Sequence, residues 1–190
     1  MVVKKYLIYI FIYLEVRELV KWSVNKKIER NYLEINSIKE LNESGIISKK
    51  YSVQLVEPAD FQLNKFFYKN IGKKHHWVDR LTWDDKQWIS YVNNSDLRTY
   101  VLKDEEEFAG YFELILHKDS KEVEIAYLGL LEEYQNLKLG SFILSSAIKK
   151  SFSDNTQRVW VHTCSLDHKN ALNNYLSRGM KIFKKENITI

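Results

Sequence analysis

Apolar and polar residues alternate along residues 97–131, and this alternation predicts three strands of an antiparallel meander. The predicted strands are separated by two charged turns, KDEEE at 103–107 and HKDSK at 117–121. Runs of apolar and β-branched residues predict three further strands, at 53–57, 158–164 and 180–190. The chain is therefore expected to contain a sheet whose middle part is antiparallel.

Apolar residues recur at helical spacing in four other segments, at 59–72, 84–92, 138–152 and 168–179. Gly72 and Gly179 are placed to end the first and the last of these helices. Asp84 is placed to cap the second helix, and Asp167 is placed to cap the last. The order of the elements predicts an α/β (α+β mixed) fold, in which a central mixed, largely antiparallel sheet has helices on both faces.

The chain is long enough for one globular domain with an additional segment. We interpret residues 1–50 as an N-terminal extension with short helical or strand elements, and residues 51–190 as the domain. The formal net charge of +4 lies in the extension, because residues 51–190 contain 19 Lys and Arg against 19 Asp and Glu. A neutral domain lacks the basic stripe that binds a phosphate backbone, so no nucleic acid partner is expected.

The extension contains an apolar run of nine residues, Tyr6–Leu14. This run is too short to span a bilayer, and the residues that follow it, EVRE, contain no small-residue cleavage site for a signal peptide. We expect the run to pack on the domain as an amphipathic helix or strand; a peripheral membrane contact and an unstructured extension are the alternatives. The single cysteine, Cys164, excludes an internal disulfide and is typical of a reducing compartment, so a cytoplasmic location is expected.

The segment LLEEYQNLKLGSFIL, at 130–144, joins the meander to the third predicted helix. The first amides of a helix lack acceptors inside the helix, and the helix dipole favours a negative charge there. A diphosphate suits such a position. Gln135, the backbone amides of 136–141 and Gly140, which permits close approach, would form the site. Ordinary capping of the helix is the alternative.

Two short patterns in this half of the chain resemble the signatures of the GNAT superfamily of acyl-CoA-dependent N-acyltransferases. Gln135-x-x-Lys138-x-Gly140 is similar to Q/R-x-x-G-x-G/A, and ALNNYLSRGM at 171–180 is similar to A-x-x-x-Y-x-x-x-G-F. The resemblance covers about residues 98–190 and implies the GNAT fold with acetyl-CoA as co-substrate. It implies coenzyme contacts from nine residues: Leu128, Leu130, Gln135, Asn136, Leu137, Lys138, Leu139, Gly140 and Ser141.

The chain departs from these signatures at two positions. Lys138 replaces the first glycine of the family, so its amide is expected to act from an ordinary conformation with negative φ. His168 replaces an asparagine that is common three residues before the alanine of the second signature, which weakens any inference about that contact.

Transfer of an acyl group to an amine requires a neutral amine, a stabilised oxyanion and a proton for the leaving thiolate. Alternation along 123–131 is expected to place Glu124 on one face with Leu128 and Leu130. Several family members carry a carboxylate base eleven residues before the glutamine, and this residue is Glu124 here. Glu113, on the neighbouring strand, is the competing carboxylate and is also expected among the residues that bind the acceptor. The alternative is that Glu124 is a solvated edge residue.

The resemblance places Tyr175 at the position of the general acid that protonates the CoA thiolate. The alternative is a core tyrosine on the apolar face of its helix. A backbone amide near Leu130, where two strands would part, is the expected oxyanion donor.

The loop HHWVDRLTW, at 75–83, is the region that shapes the acceptor pocket in the family. Trp77 and Trp83 are expected to wall this pocket, Asp79 to hold an ammonium group and Arg80 to hold a carboxylate. The alternative is an Asp–Arg pair that fixes the loop over an aromatic core.

The segment HTCSLDH contains side chains found in Cys–His nucleophiles and in metal sites: His162, Cys164, Asp167 and His168. Metal sites usually need more ligands with fuller spacing, and no glycine-rich turn accompanies Cys164. We therefore expect packing and helix capping from these residues, and no bound metal.

These features predict an N-acetyltransferase that moves the acetyl group of acetyl-CoA to a primary amine of a small-molecule or amino-acid-like acceptor by direct attack. The alternative is a catalytically silent acyl-CoA-binding sensor or interaction module on the same fold.

Overall fold

The computed structural model describes residues 27–45, 48–152 and 155–189, and seven strands in these ranges form one sheet. The strands are β1 (Lys27–Ile35), β2 (Tyr51–Leu55), β3 (Leu97–Asp104), β4 (Glu107–His117), β5 (Glu122–Leu130), β6 (Arg158–Cys164) and β7 (Lys181–Thr189). Their order across the sheet is β2-β3-β4-β5-β6-β1-β7. β5 and β6 are parallel and the other neighbours are antiparallel, so the predicted mixed, largely antiparallel sheet is confirmed.

Four α-helices in the described ranges accompany the sheet, as predicted: α1 (Phe61–Gly72), α2 (Asp85–Val92), α3 (Leu139–Ser151) and α4 (Ala171–Ser177). Asp60 caps α1, where its carboxylate accepts hydrogen bonds from the amides of Gln62 (2.9 Å) and Leu63 (3.1 Å). Asp84 caps α2 and forms a reciprocal capping box with Gln87, which confirms the predicted start of that helix.

Helices pack on both faces of the sheet, and each face has an apolar core. The larger core lies beneath α3 and includes Ile125, Ile143, Ala147 and Val161. The smaller core lies beneath α1, where the ring of Phe67 stacks on that of Tyr111 with 4.8 Å between centroids. Full burial of an aromatic or large aliphatic side chain stabilises a fold by about 1.5–3 kcal/mol. The two cores therefore fix the helices, and with them the loops that enter the site.

A bulge in β5 changes which side chains face each core. Glu113 lies opposite Tyr127 and Leu114 lies opposite Ile125, so Ala126 is an extra residue in the ladder. Before the bulge, Ile125 points into the core beneath α3; after it, the even-numbered residues at 128 and 130 do so. The prediction that Glu124 shares a face with Leu128 and Leu130 is therefore wrong, because one inserted residue reverses the alternation.

β1 belongs to the segment assigned to an N-terminal extension, yet it lies inside the sheet between β6 and β7. Its residues Leu33 and Ile35 are part of the core beneath α3. This part of residues 1–50 is thus integral to the sheet. The apolar run Tyr6–Leu14 lies outside the described residues. Among the helices of the described residues, none has the length and apolar character needed to cross a membrane.

Gly179 ends α4, as predicted, and its lack of a side chain is required by a neighbouring segment. The residue has a φ of +96°, in the region that favours glycine. A Cβ at this position would overlap the carbonyl oxygen of Glu40, in the chain between β1 and β2. The amide of Asn42 also donates to the carbonyl of Arg178 (3.1 Å). The segment after β1 is thus held against the end of α4.

Asp167 does not cap α4, so that prediction is wrong. The helix begins at Ala171, and its N-cap residue is Asn170. The Asp167 carboxylate instead accepts hydrogen bonds from the hydroxyl of Thr163 (2.7 Å) and the amide of Cys164 (2.9 Å). The carboxylate therefore closes the turn that follows β6.

A buried ion pair connects the helices α1 and α2 to β4. The carboxylate of Glu113 is fully buried and accepts hydrogen bonds from Arg80 Nη1 (3.0 Å), Tyr91 Oη (2.6 Å) and Asn64 Nδ2 (2.8 Å). The Arg80 guanidinium also lies over the rings of Tyr91 (3.9 Å) and Tyr127 (4.3 Å). The guanidinium also donates to the Tyr91 hydroxyl (2.7 Å). Each charge is thus paired and hydrogen-bonded inside the protein, which is the condition under which a buried pair is tolerated.

We predict that Arg80→Met lowers the free energy of unfolding by about 3–5 kcal/mol, because the Glu113 carboxylate would remain buried without its partner. The double variant Arg80→Met/Glu113→Leu should recover most of this loss, since it removes both charges. Urea unfolding followed by circular dichroism measures both changes. Lys65→Met, which breaks the surface pair of Lys65 with Asp85 (2.7 Å), is the control and should cost less than about 1 kcal/mol. An Arg80→Met variant as stable as this control would contradict the prediction.

Candidate functional site

β5 and β6 pair only over a short stretch and then separate. Their parallel ladder joins Glu122–Glu124 to Arg158–Trp160, and no further pair follows in the described strands. A cleft of about 970 Å³ opens beyond this point. Its walls come from β5, β6, the loop after α1, the start of α3 and α4. The separation of two neighbouring strands therefore creates a cleft that most of the predicted site residues line.

Backbone groups on one edge of β5 face the cleft without a strand partner. The amide of Leu131 donates to the carbonyl of Ala109 (3.0 Å), on the β4 side. Because N–H and C=O groups alternate in direction along a strand, those of Leu128 and Leu130 point the other way, toward the separated β6. Both residues line the cleft. An extended ligand can pair with these groups as a strand would.

The loop between β5 and α3 has two residues in the left-handed region. Asn136 and Lys138 both have a φ of 62°, so the prediction that Lys138 has negative φ is wrong. Lys138 is the N-cap of α3, and its side chain makes no capping hydrogen bond. A left-handed conformation costs an ordinary residue about 1–2 kcal/mol. The loop accepts this strain, and no side chain caps the start of α3. The amide of Ser141 donates to the carbonyl of Lys138 (3.3 Å), so the amides of Leu139 and Gly140 are the ones offered to an anion.

Asn174 fixes the start of α3 to α4. Its Nδ2 donates to the carbonyl of Gly140 (2.9 Å), and its Oδ1 accepts from the hydroxyl of Ser141 (3.0 Å). A Cβ at Gly140 would meet only this amide nitrogen, at 3.8 Å. The space above Gly140 is thus open in the protein, as a close ligand approach requires. Asn174 was not among the residues predicted for the site, although it precedes Tyr175 inside the second signature.

The predicted coenzyme residues divide into two groups. Most of them line the cleft: Leu128, Leu130, Gln135, Asn136, Lys138, Gly140 and Ser141. The side chain of Leu139 is fully buried in the core, and that of Leu137 is exposed outside the cleft. These two residues can contribute backbone amides alone.

One wall of the cleft presents a carboxylate held by two tyrosines. Asp79 accepts hydrogen bonds from the hydroxyls of Tyr68 (2.9 Å) and Tyr127 (2.7 Å). Burial raises the pKa of both tyrosines, so the hydroxyls remain donors. Trp77 packs edge-on against Tyr127 with 4.7 Å between centroids. Trp77 and Asp79 therefore both line the cleft, and their role toward an acceptor stays a prediction.

Three residues predicted for this pocket have other roles. Glu113 is fully buried and bonded to Arg80, so the prediction that it contacts an acceptor or acts as the base is wrong. Arg80 borders the cleft, but its guanidinium is bound to Glu113 and cannot hold a substrate carboxylate. Trp83 packs against Trp88 (5.2 Å) and Tyr91 (5.5 Å), outside the cleft. The loop is fixed chiefly by Arg80 with Glu113, since the Asp79–Arg80 separation is 4.0 Å.

Glu124 and Tyr175 both line the cleft. Glu124 lies on β5 just before the bulge, and its Oε2 is 3.3 Å from Nε2 of His117. Tyr175 is 8% exposed and belongs to the core beneath α3, so it is a core residue that also reaches the cleft. Burial raises the pKa of the Tyr175 phenol, which keeps it protonated.

The cleft residues that were not assigned to the site from the sequence include one on β6 and one on β1. His162 on β6 was considered only with Cys164, and Arg30 on β1 was not considered. Burial raises the pKa of the Cys164 thiol, which makes it a poor nucleophile. In residues 27–45, 48–152 and 155–189 no three His, Cys, Asp or Glu side chains gather as a metal-binding group. Alternation along β6 puts His162 on the same face as Trp160, and this pattern is the signal that could have indicated its position from the sequence.

The sequence profile of the acetyltransferase (GNAT) family matches residues 61–180. No curated protein sequence matches the chain. Many solved structures share the fold at low sequence identity.

A conserved protein of unknown function from Staphylococcus epidermidis has 20% identity and a TM-score of 0.59, and the match covers 91% of this chain and 63% of that one. A GCN5-related N-acetyltransferase from Sphaerobacter thermophilus has 10% identity and a TM-score of 0.66, and the match covers 92% and 56%. An aminoglycoside acetyltransferase from an uncultured soil metagenomic sample, in complex with sisomicin, has 13% identity and a TM-score of 0.58, and the match covers 70% and 90%. The chain thus spans less than two thirds of the first two proteins.

The family profile covers well over half of the chain and includes α1 to α4, the bulged strand and both sequence signatures. The chain therefore belongs to the acetyltransferase (GNAT) family.

Proposed function

We propose that the chain transfers the acetyl group of acetyl-CoA to a primary amine of a small acceptor by direct attack. The observation that supports this most is the unpaired edge of β5 at Leu128 and Leu130, which leads to the open amides at the start of α3. An extended pantetheine arm would pair with the unpaired strand edge. The pyrophosphate at the end of that arm would bind the amides at the start of the helix.

The residues of the cleft fit the coenzyme in charge and in space. The first amides of α3, with Gln135, would hold the pyrophosphate, and the open space at Gly140 lets it approach the backbone. The backbone groups of Leu128 and Leu130 would pair with the amides of the pantetheine arm. When bound, acetyl-CoA supplies an acyl group that is already activated as a thioester.

The reaction requires that one C–N bond forms and one C–S bond breaks. Glu124 would take a proton from the acceptor ammonium, and the neutral nitrogen would then attack the thioester carbonyl. The cleft-facing amide of Leu128 or Leu130 would stabilise the oxyanion. As the C–S bond breaks, the sulfur takes the electron pair and Tyr175 supplies its proton. The products are an amide and a thiol, with one proton released overall.

Asp79 and the aromatic rings beside it favour a cationic acceptor. The carboxylate is exposed to the cleft and is held in place by the two tyrosine hydroxyls. It would bind a second amino group of the acceptor, with Trp77 packed against its carbon frame. The structural neighbour bound to sisomicin supports an acceptor class with several amino groups. Direct attack is supported by the protonated state of the Cys164 thiol, which argues against an acyl-enzyme.

Calorimetry with acetyl-CoA, run beside a thiol-release assay over a panel of small mono- and polyamines, tests the proposal. We expect binding of acetyl-CoA and amine-dependent release of thiol. Binding without turnover over the whole panel would favour a silent acyl-CoA sensor, and no binding of any acyl-CoA would contradict both functions.

We predict that Gly140→Val weakens acetyl-CoA binding by more than about tenfold, or 1.4 kcal/mol. A β-branched side chain would fill the open space through which the pyrophosphate reaches the amides. Isothermal titration measures the affinity, and thermal unfolding checks the fold. Gly45→Val is the control, because a Cβ at Gly45 would meet nothing within 4 Å.

Lys138→Ala should have a smaller effect than Gly140→Val, since the backbone forms the site. Normal affinity in a folded Gly140→Val variant would place the pyrophosphate elsewhere.

Glu124→Gln should lower kcat/KM at neutral pH by about 10²–10⁴-fold, because it removes a base without changing the size of the side chain. The loss should shrink as the pH rises toward the pKa of the acceptor amine, which then arrives already neutral. Steady-state rates from pH 6 to about 10 test this expectation. A loss that is the same at every pH would show that Glu124 positions the acceptor and does not deprotonate it.

Tyr175→Phe should lower kcat and leave the affinity for acetyl-CoA nearly unchanged, since the ring remains and only the donor is lost. Burial raises the pKa of Tyr175 above its ordinary value of 10.0, so the wild-type phenol stays protonated throughout the assay range. High pH should therefore not rescue the variant, unlike Glu124→Gln. The rate with a thioester that has a better leaving thiol should recover. An unchanged kcat would restrict Tyr175 to its role in the core.

A further inference from the structure

The proposed reaction contains one proton transfer that neither Glu124 nor Tyr175 performs. An acceptor ammonium has three N–H bonds, and the product amide has one. Glu124 takes the first proton before attack and is then a neutral acid. The nitrogen of the tetrahedral adduct is cationic and must lose a second proton, while Tyr175 gives its own proton to the sulfur. A second acceptor near the adduct is therefore required.

His162 lies at the position where such an acceptor is needed. Glu124 pairs with Trp160 in the last rung of the β5–β6 ladder, and partners in a parallel ladder face the same side. His162 is two residues beyond Trp160, so it faces that side as well. It is the first β6 side chain on this face after the strands separate, and it lines the cleft. The same point of separation thus brings together Glu124 and His162.

The imidazole of His162 rests on a fixed support. Its cross-strand neighbour on β1 is Tyr32, and the two rings pack with 5.8 Å between centroids. The Tyr32 hydroxyl donates to Glu186 on β7 (2.8 Å), which holds that ring. The His162 side chain packs on Tyr32 on one side and is otherwise exposed where it lines the cleft.

Charged side chains act on this imidazole from four surrounding elements: Arg30 of β1, Glu124 of β5, Asp167 of the loop after β6 and Asp79 of the loop after α1. Burial and the Arg30 guanidinium lower the pKa of His162 below its ordinary value of 6.5, and they outweigh the opposing effect of the three carboxylates. His162 is therefore neutral at physiological pH and has a lone pair available for a proton.

The other histidines described at this end of the protein are less suited. His117 is bonded to Glu124. Nδ1 of His168 accepts the amide of Asn170 (3.2 Å), at the start of α4. His75 packs against His168, with 6.2 Å between centroids, on the loop that faces α4. His76 lines the cleft as well, but it lies on the same loop as His75. Among these five histidines, only His162 follows directly from the rung that contains Glu124.

We propose that His162 takes the second proton, from the amine nitrogen of the tetrahedral adduct, after Glu124 has taken the first. The N–H bond breaks to the imidazole nitrogen, its electron pair remains on the nitrogen, and the C–S bond then breaks to give the amide. The imidazolium returns its proton to solvent after the product leaves. This inference rests on the proposed function and adds a catalytic residue to it.

His162→Gln tests the inference. At saturating substrates and pH 7 to 9, kcat should fall by about 10²–10⁴-fold, while the affinity for acetyl-CoA stays within about twofold. High pH should not rescue the variant, because the second proton leaves only after attack. The wild-type kcat should also fall as the pH drops below the pKa of His162, since the imidazole is then already protonated. This acid limb should persist in Glu124→Gln and disappear in His162→Gln.

His168→Gln is the matched control and should retain the acid limb, and His162→Asn serves as a second, shorter replacement if the first variant does not fold. A folded His162 variant with kcat within threefold of wild type, or with the same acid limb, would overturn the inference. Rescue of His162→Gln at high pH would do so as well. If wild-type protein binds acetyl-CoA but acetylates no amine, the proposed function fails together with the inference. An active wild type with an unaffected His162 variant overturns the inference alone.

Discussion

The site depends on one constraint, which is that two parallel strands share a ladder for three residues and then part. Strand neighbours normally satisfy each other's backbone groups, and unpaired buried groups are costly. After Glu124 and Trp160 the partner of β5 is absent, so the backbone at Leu128 and Leu130 must pair with water or with a ligand. The space between the strands and its unpaired edge arise together. The proposed acyl transfer is therefore expected at the point of separation, where side chains of both strands still lie close.

A buried electrostatic cluster holds the opposite wall of this cleft. Arg80 lies among aromatic rings with its charge balanced by Glu113, and its contact with Tyr127 fixes a ring whose hydroxyl binds Asp79. The exposed carboxylate is thus connected to a carboxylate in the interior through Arg80 and Tyr127. A buried pair of this kind contributes little net stability compared with apolar packing. The pair instead holds Asp79 in position, because Asp79 lies on a surface loop and is fixed through Tyr127.

Much of this fold follows from local pattern. The meander, the two Asp caps at α1 and α2, and the stop at Gly179 depend on neighbours in sequence, and one of these caps, at Asp84, was predicted with its helix. The bulge at Ala126 could not be predicted, because it depends on which β4 residue each β5 residue meets. The position of β1 depends on pairing with strands more than a hundred residues away. The burial of Glu113 depends on Arg80 from a distant loop, so a charged residue inside an apolar strand was mistaken for a site residue.

Several departures from local rules border the cleft. Ala126 interrupts a ladder, Asn136 and Lys138 adopt a conformation that favours glycine, and α3 begins without a side-chain cap. Each departure leaves backbone groups or space that a regular element would have filled. Strained conformations and missing caps persist in a folded protein only where the surrounding structure stabilises them. Here the two apolar cores and the clamp of Asn174 on Gly140 and Ser141 supply that stability. The strain is therefore best understood as the cost of keeping amides free for a ligand, and the same opening leaves Glu124 and His162 on one side of the sheet at the point where the strands part.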